Sequence, residues 1–158
     1  MSFLAAIVLM VIESDEALAW TVFIKLLTEC SDWRRFYGEN TPKLFEVTKN
    51  LREYMKKEMP KLSRYLNEQN VILESLFASP LLTMFGNLIP ISEALRVIDR
   101  YILGKESKIS FTIDGEEAIY NIMKHLLKSK EQDMLKMDCW ELQVFLGRNL
   151  YIQAVEDN

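Results

Sequence analysis

The sequence predicts a single all-α domain. Glycine and proline together number 5 + 4 = 9 among 158 residues, which is about half of their usual share. Apolar residues make up 49% of the chain and recur mostly at the three- and four-residue spacing of helices. These observations exclude a collagen-like chain and a turn-rich all-β fold. The length suits one domain with a substantial core.

Each helix is predicted from its own pattern, starting with ten consecutive apolar residues from Phe3 to Ile12. A signal peptide requires basic residues before its apolar run, but no Lys or Arg precedes this one. The run is also shorter than the roughly 20 residues of a membrane span. We expect a helix buried on all sides. Such a helix normally lies in the middle of a domain, so the chain is expected to begin partway through a fold.

The next two segments differ in their periodicity. Ser14 is a candidate N-cap for a helix that continues to about Thr28, with one apolar face formed by Trp20, Phe23, Ile24 and Leu27. Residues Cys30–Asn40 lose this period and contain a glycine, which predicts a loop.

Proline positions set the following boundaries. Thr41 and Pro42 predict the start of an amphipathic helix that stops near Glu58, and Pro60 can begin a short helix. The long apolar stretch from Val71 to Ile89 contains Pro80 and predicts either two buried helices or one kinked helix.

The last third of the chain holds two capping signals. Ser92 begins a helix that ends at Gly104, and residues Lys108–Ile113 alternate as in a short strand or an extended loop. Capping boxes at Asp114 and Asp138 begin two further helices, the second closed by Gly147.

Charge and composition limit the possible functions. The formal net charge is 19 − 23 = −4, so the chain lacks the basic surplus needed to bind nucleic acid or an anionic membrane. Two cysteines, Cys30 and Cys139, are too few for a disulfide framework or a cysteine metal site and fit a reducing compartment inside the cell. The single histidine, His125, leaves little room for a catalytic triad or a zinc site. No catalytic, cofactor-binding or metal-binding residue is predicted; an unrelated helical enzyme is the least favoured alternative.

The order of several short motifs is more specific than the helix pattern. Met1 to Ala6 (MSFLAA) precedes an apolar helix, an acidic turn and the segment EALAWTVF. Further on come MP and KL around Pro60, FAS at Phe77–Ser79, LIP before Ile91 and LRVID at Leu95–Asp99. This order resembles the second half of the TBC domain, the all-helical module of Rab GTPase-activating proteins. Ile98 and Asn121 stand where that family usually has Trp and Arg, and about ten extra residues precede Asp114, so the chain resembles a divergent member.

The resemblance implies a multi-helix right-handed array, like the C-terminal subdomain of the TBC fold, spanning residues 1–158 as one partial domain. TBC proteins stimulate GTP hydrolysis with an arginine finger and a glutamine, both from the family's N-terminal half. That catalytic half is expected to be absent, since the glutamine belongs to a Tyr-x-Gln-Gly segment located before the Met that matches Met1. The chain is therefore expected to be a GTPase regulator without enzyme activity of its own, and inactive alone.

Two groups of residues are candidate sites. Met1, Ser2, Phe3, Arg96 and Asp99 match family motifs, and the last two are expected to form an internal ion pair or cap. Trp33, Arg34, Arg35 and Tyr37 could contact a partner, because Trp, Tyr and Arg are common in binding hot spots; packing of these aromatic residues on the core is the favoured alternative.

The leading hypothesis is part of a Rab GTPase-activating protein that works in vesicle trafficking. Such a protein would be cytoplasmic and would reach endomembranes through its small GTPase partner. The rival is a non-catalytic helical scaffold that binds a GTPase or another protein. Without a covering half, the apolar N-terminal helix should stay exposed and drive self-association.

Overall fold

The computed structural model describes residues 2–13, 15–29, 31–106 and 115–156. Over these ranges the chain forms helices joined by turns and contains no β-strand, so the all-α prediction is confirmed. In chain order the helices are α1 (Ser2–Val11), α2 (Glu16–Glu29), α3 (Ser31–Tyr37), α4 (Pro42–Glu58), α5 (Pro60–Glu68), α6 (Leu73–Leu82), α7 (Ile91–Glu106), α8 (Gly115–Ser129), α9 (Glu131–Met134), α10 (Cys139–Val144), the π-helical turn π1 (Phe145–Asn149) and α11 (Leu150–Glu156).

Helix α4 lies at the centre of the fold and packs against α3, α5, α6 and α8. Its bounds agree with the proline-based prediction at both ends. Apolar residues at helical spacing bury one of its faces in the core, namely Leu44, Val47, Leu51 and Met55. The predicted cap is wrong in one respect: Thr41 has left-handed backbone angles (φ 43°), and its side chain makes no capping hydrogen bond.

Helix α8 is fixed to α4 by polar contacts at both of its ends. The Tyr120 hydroxyl donates to the Asn50 carbonyl at 3.1 Å, and Lys128 Nζ donates to the Glu58 carbonyl at 3.2 Å. The second contact places a cation at the C-terminus of α4, where the helix dipole favours positive charge. A hydrogen bond to Glu131 raises the pKa of Lys128, so this cap remains charged.

Helix α1 is buried on one face only, and the prediction of burial on all sides is wrong. Leu4, Ile7 and Val8 are in the core, whereas Phe3 and Met10 are 47% and 63% exposed. The chain packs against α1 from the side of α2 and from the turn at Gly86, which leaves the opposite stripe uncovered.

Helix α2 also differs from its predicted orientation. Ala19 and Phe23 face the core, but Trp20 is 64% exposed and Ile24 is 37% exposed. The backbone N–H of Leu18 is capped by Asp15 Oδ1 at 3.0 Å. The predicted cap Ser14 lies outside the described residues.

The predicted loop at Cys30–Asn40 contains helix α3, so this prediction is wrong over residues 31–37. The segment is too short for its period to be visible in the sequence. Burial of Phe36, which is 1% exposed, supplies the tertiary contact that short helices need for stability.

The apolar stretch from Val71 to Ile89 forms one helix followed by a compact turn, and both predicted alternatives are wrong. Pro80 lies in the last turn of α6, close to where the helix ends. Met84 and Phe85 then adopt left-handed angles (φ 49° and 62°) and reverse the chain while their side chains stay buried. The Phe85 N–H donates to the Pro80 carbonyl at 2.8 Å.

The C-terminal region agrees with the sequence at its start and differs at its end. Asp138 and Glu141 form the predicted capping box, with bonds of 2.8 and 2.9 Å. Gly147 does not close the helix, since it lies inside π1 and the chain continues into α11. The predicted strand at Lys108–Ile113 and the cap at Asp114 lie outside the described residues, and α7 extends two residues past Gly104.

Candidate interaction surface

The predicted partner-contact residues Trp33, Arg34, Arg35 and Tyr37 lie on α3. Arg34 and Arg35 are exposed, and Tyr37 is half-buried. The side chain of Trp33 lies outside the described part of the structure. Helix α3 therefore presents two neighbouring guanidinium groups to solvent while Phe36 anchors its other side.

Arg35 belongs to an ion-pair cluster that joins α3 to α4, which we call the Glu46 cluster (Arg35, Lys43, Glu46). Glu46 accepts from Arg35 Nη2 at 2.7 Å and from Lys43 Nζ at 3.1 Å. The Lys43 side chain is only 2% exposed, and a buried ammonium group needs such a partner. Chiefly through the hydrogen bond from Lys43, the two cations lower the pKa of Glu46 against a smaller opposing effect of burial.

Tyr37 connects the end of α3 to the end of α6. Its hydroxyl donates to the Leu82 carbonyl at 2.7 Å, a group that the helix itself leaves without a partner. Burial raises the pKa of Tyr37 to about 12, so the hydroxyl keeps its proton at neutral pH. Tyr37 thus holds the fold together, and the surface of α3 available to a partner is formed by the arginines.

Two of the family-motif residues at the N-terminus, Ser2 and Phe3, lie at the surface of the fold. Met1 is outside the described residues, and Ser2 and Phe3 are both exposed at the start of α1. Phe3, with Met10 on the same stripe of α1 and Trp20 on the adjoining helix α2, leaves apolar side chains facing solvent.

Arg96 and Asp99 lie on α7, but the ion pair of Arg96 is to Glu93. The Arg96 Nη1 to Glu93 Oε1 distance is 3.0 Å, and the arginine side chain is 73% exposed. Asp99 is exposed as well. Because an exposed pair within one helix contributes less than about 1 kcal/mol, this contact has little effect on the fold.

The described residues were also compared with what a metal site, a ligand cavity and a membrane span require. They contain no group of three His, Cys, Asp or Glu side chains placed to hold a metal ion, and His125 is exposed. A cavity between α4 and α5, lined by Arg52 and Leu66 among others, has a volume of about 20 Å³, room for a water molecule. Among the described helices, none combines the length and apolar character needed to cross a bilayer.

Comparison with known families decides between the many helical folds that share these features. The family model of the Rab-GTPase-TBC domain matches residues 1–135 of the chain. The chain belongs to this family. No curated protein and no solved structure matches it.

The TBC match extends from the start of the chain through α9, so it includes all the family-motif and α3 residues discussed above. Helix α10, π1 and α11 follow the matched region. The TBC-matched part and this C-terminal part form one hydrophobic core, which contains Leu51 of α4 and Leu146 of π1.

Sequence reasoning missed two features of the surface. The i, i+3 spacing of Lys43 and Glu46 was a visible signal for the Glu46 cluster, but their pairing with Arg35 depends on how α3 packs. Nothing in the sequence indicated that Trp140 is exposed, because a tryptophan at helical spacing is more often part of a core face.

Proposed function

We propose that the chain takes part in the activation of a small GTPase of the Rab family, as part of a protein that stimulates GTP hydrolysis. The match of a Rab-GTPase-TBC domain to residues 1–135 carries this proposal. Its place of action would be the cytoplasm and the cytoplasmic face of endomembranes, in vesicle trafficking. The chain would reach the membrane through its GTPase partner.

The chain would bind or support the complex without supplying catalytic residues. Stimulation of hydrolysis in TBC proteins needs an arginine that reaches the nucleotide and a glutamine that orients water. The sequence contains no Tyr-x-Gln-Gly segment. Three of its arginines, Arg35, Arg52 and Arg96, are engaged with Glu46, Glu74 and Glu93, which argues against their reaching into another protein's active site.

Helix α3 would provide the contact with the GTPase. Arg34 and Arg35 lie side by side, exposed, on an element held by Phe36 and Tyr37. Arg35 is already paired with Glu46, so Arg34 would make the main contact. Because this helix is already ordered, binding to its arginines does not include the entropy cost of ordering a loop. An acidic surface on the GTPase would complement them.

The second candidate is a non-catalytic scaffold, which the exposed apolar side chains of α1 and α2 favour. Phe3, Met10 and Trp20 are all about half exposed or more, and apolar surface of this kind marks association sites. The chain would then hold a GTPase or another protein, or a second copy of itself, without affecting turnover.

A binding measurement with Rab proteins tests the proposal and separates the two candidates. The chain is passed over immobilised Rab proteins loaded with a non-hydrolysable GTP analogue or with GDP. We expect tighter binding to the GTP form, weakened at least fivefold by Arg34→Ala and unchanged by Arg64→Ala, an exposed arginine of α5. Equal binding to both nucleotide states would favour the scaffold, and absence of binding to every Rab would contradict the proposed function.

A further inference from the structure

Helix α10 and the segment before α6 expose three large apolar side chains. Trp140 is 73% exposed, Ile72 is 63% exposed and Val144 is 39% exposed. Trp140 and Val144 are four residues apart and lie on one face of α10. We call these three residues the Trp140 patch.

Two contacts show that the two segments that carry the patch are neighbours. Cys139 Sγ donates to the Gln69 carbonyl at 3.4 Å, and Gly147 lies against Leu76, whose Cδ2 is 3.9 Å from the position of an added Cβ. The earlier residue of one segment meets the earlier residue of the other, and the later meets the later. The two segments therefore run side by side in the same direction. Ile72 lies between Gln69 and Leu76, which places it alongside the first turns of α10.

The rim of the patch is acidic. Glu68, Asp138 and Glu141 are exposed, and the last two are held in place because each accepts a backbone N–H of the capping box. Residues 131–148, which include the exposed Arg148, contain two basic and four acidic residues, a formal charge of 2 − 4 = −2. A surface of this sign repels anionic lipid and attracts a cationic partner.

The residues that follow the patch along the chain are buried. Directly after Val144 the helix changes from α to π geometry in π1, and Phe145 and Leu146 of π1 are buried. Turns of this kind occur frequently at functional sites. The patch also includes residues beyond the TBC match, which ends at residue 135, so its partner need not be the GTPase that the TBC family acts on.

From these observations we propose that the Trp140 patch docks an amphipathic helix of another protein, with an apolar face flanked by Lys and Arg. Trp140 would be the central anchor, since an exposed tryptophan surrounded by a polar rim has the composition of a binding hot spot. The helix would lay its apolar face on Ile72, Trp140 and Val144. Its cations would pair with Glu68 and Glu141. This inference is independent of the proposed function.

Selection of displayed peptides tests both the site and the chemistry of its partner. A library of 18-residue helical sequences is selected for binding to the intact chain. The same library is selected in parallel on the Trp140→Ala variant, and the enrichment of each sequence is compared between the two. The matched control is Trp20→Ala, which removes another exposed tryptophan, 64% exposed on α2. Circular dichroism and thermal unfolding confirm that all variants fold, and Ile72→Ser provides a second, smaller change to the patch.

We expect enriched sequences with Lys or Arg beside aromatic and aliphatic residues at helical spacing. Their affinity should fall at least tenfold in Trp140→Ala, threefold or more in Ile72→Ser and Glu68→Lys, and not at all in Trp20→Ala. Enrichment of neutral or acidic peptides would overturn the proposal, as would no enrichment or binding that persists in Trp140→Ala. A concentration-dependent dimer that Trp140→Ala abolishes would assign the patch to a second copy and would also overturn it.

Discussion

Two tyrosines, Tyr37 and Tyr151, show how single hydroxyl groups affect the fold in opposite ways. Tyr37 donates to the Leu82 carbonyl. The hydroxyl of Tyr151, 2% exposed beside Phe85, has no hydrogen-bond partner in the described part of the chain, and burial raises its pKa. A satisfied buried hydroxyl stabilises a fold, whereas an unsatisfied one costs free energy.

We therefore expect opposite results from the same substitution. Tyr37→Phe should lower the free energy of unfolding by about 1 kcal/mol, because the Leu82 carbonyl loses its partner. Tyr151→Phe should leave this free energy unchanged or raise it by up to ~1 kcal/mol, because it removes a polar group that the fold desolvates. Urea unfolding of both variants measures the difference, and a loss of stability in Tyr151→Phe would show that its hydroxyl is bonded.

The Glu46 cluster predicts a dependence of stability on acid pH. The pKa of Glu46 in the folded chain is below its ordinary value of 4.5, so its contribution is complete above pH 4.5 and is lost as pH falls through the folded pKa. Since Glu46 is 41% exposed, the contribution should be less than about 1 kcal/mol. In urea unfolding between pH 7 and 3, Glu46→Gln should be less stable than the wild type at pH 7 and should approach it at pH 3. A difference that stays constant with pH would contradict this explanation.

At the scale of the elements, two glycines have opposite surroundings. An added Cβ on Gly86 would lie 2.8 Å from Ile7 Cδ1 and 3.1 Å from the Thr83 carbonyl, whereas one on Gly147 would meet Leu76 only at 3.9 Å. The turn after α6 thus packs closely on α1, and π1 leaves room at its surface.

Substitution of each glycine by alanine should change the free energy of unfolding in opposite directions. Gly86→Ala should lower the free energy of unfolding by roughly 1–3 kcal/mol through overpacking. Gly147→Ala should raise it by up to about 1 kcal/mol, because alanine loses less backbone entropy in a helical turn. Thermal unfolding of the two variants checks this. Equal destabilisation would mean that π1 requires glycine for a reason other than space.

The helix boundaries that proline and capping residues specify were predictable, as α4, α5 and the Asp138 cap show. Elements that depend on contacts between residues distant in sequence were not predictable. Helix α3 needs the burial of Phe36, and the turn at Met84 and Phe85 uses left-handed angles that these residue types seldom adopt. For the candidate site, the sequence identified Arg34 and Arg35, but the placement of Tyr37 against Leu82 could come only from the fold.

At the scale of the whole molecule, the exposed apolar side chains of α1 and α2 predict self-association. Phe3 and Met10 lie on one stripe of α1, and Trp20 adds to the apolar surface on α2. Sedimentation at increasing protein concentration should show oligomers, and Met10→Lys should shift them toward the monomer. Ile91→Lys, a control at an exposed apolar residue of α7, should have no such effect. A monomer at all concentrations with a cooperative melt would contradict the prediction.

The proposed function has this TBC-family chain take part in GTPase activation without supplying the catalytic arginine and glutamine. The most direct test is single-turnover GTP hydrolysis by a panel of purified Rab proteins, with and without a large excess of the chain. We expect hydrolysis rates that stay within about twofold of the intrinsic rate, far below the 10³–10⁵-fold effect of an arginine finger. Acceleration of any Rab by more than about tenfold would contradict it, because the chain would then contain catalytic groups of its own.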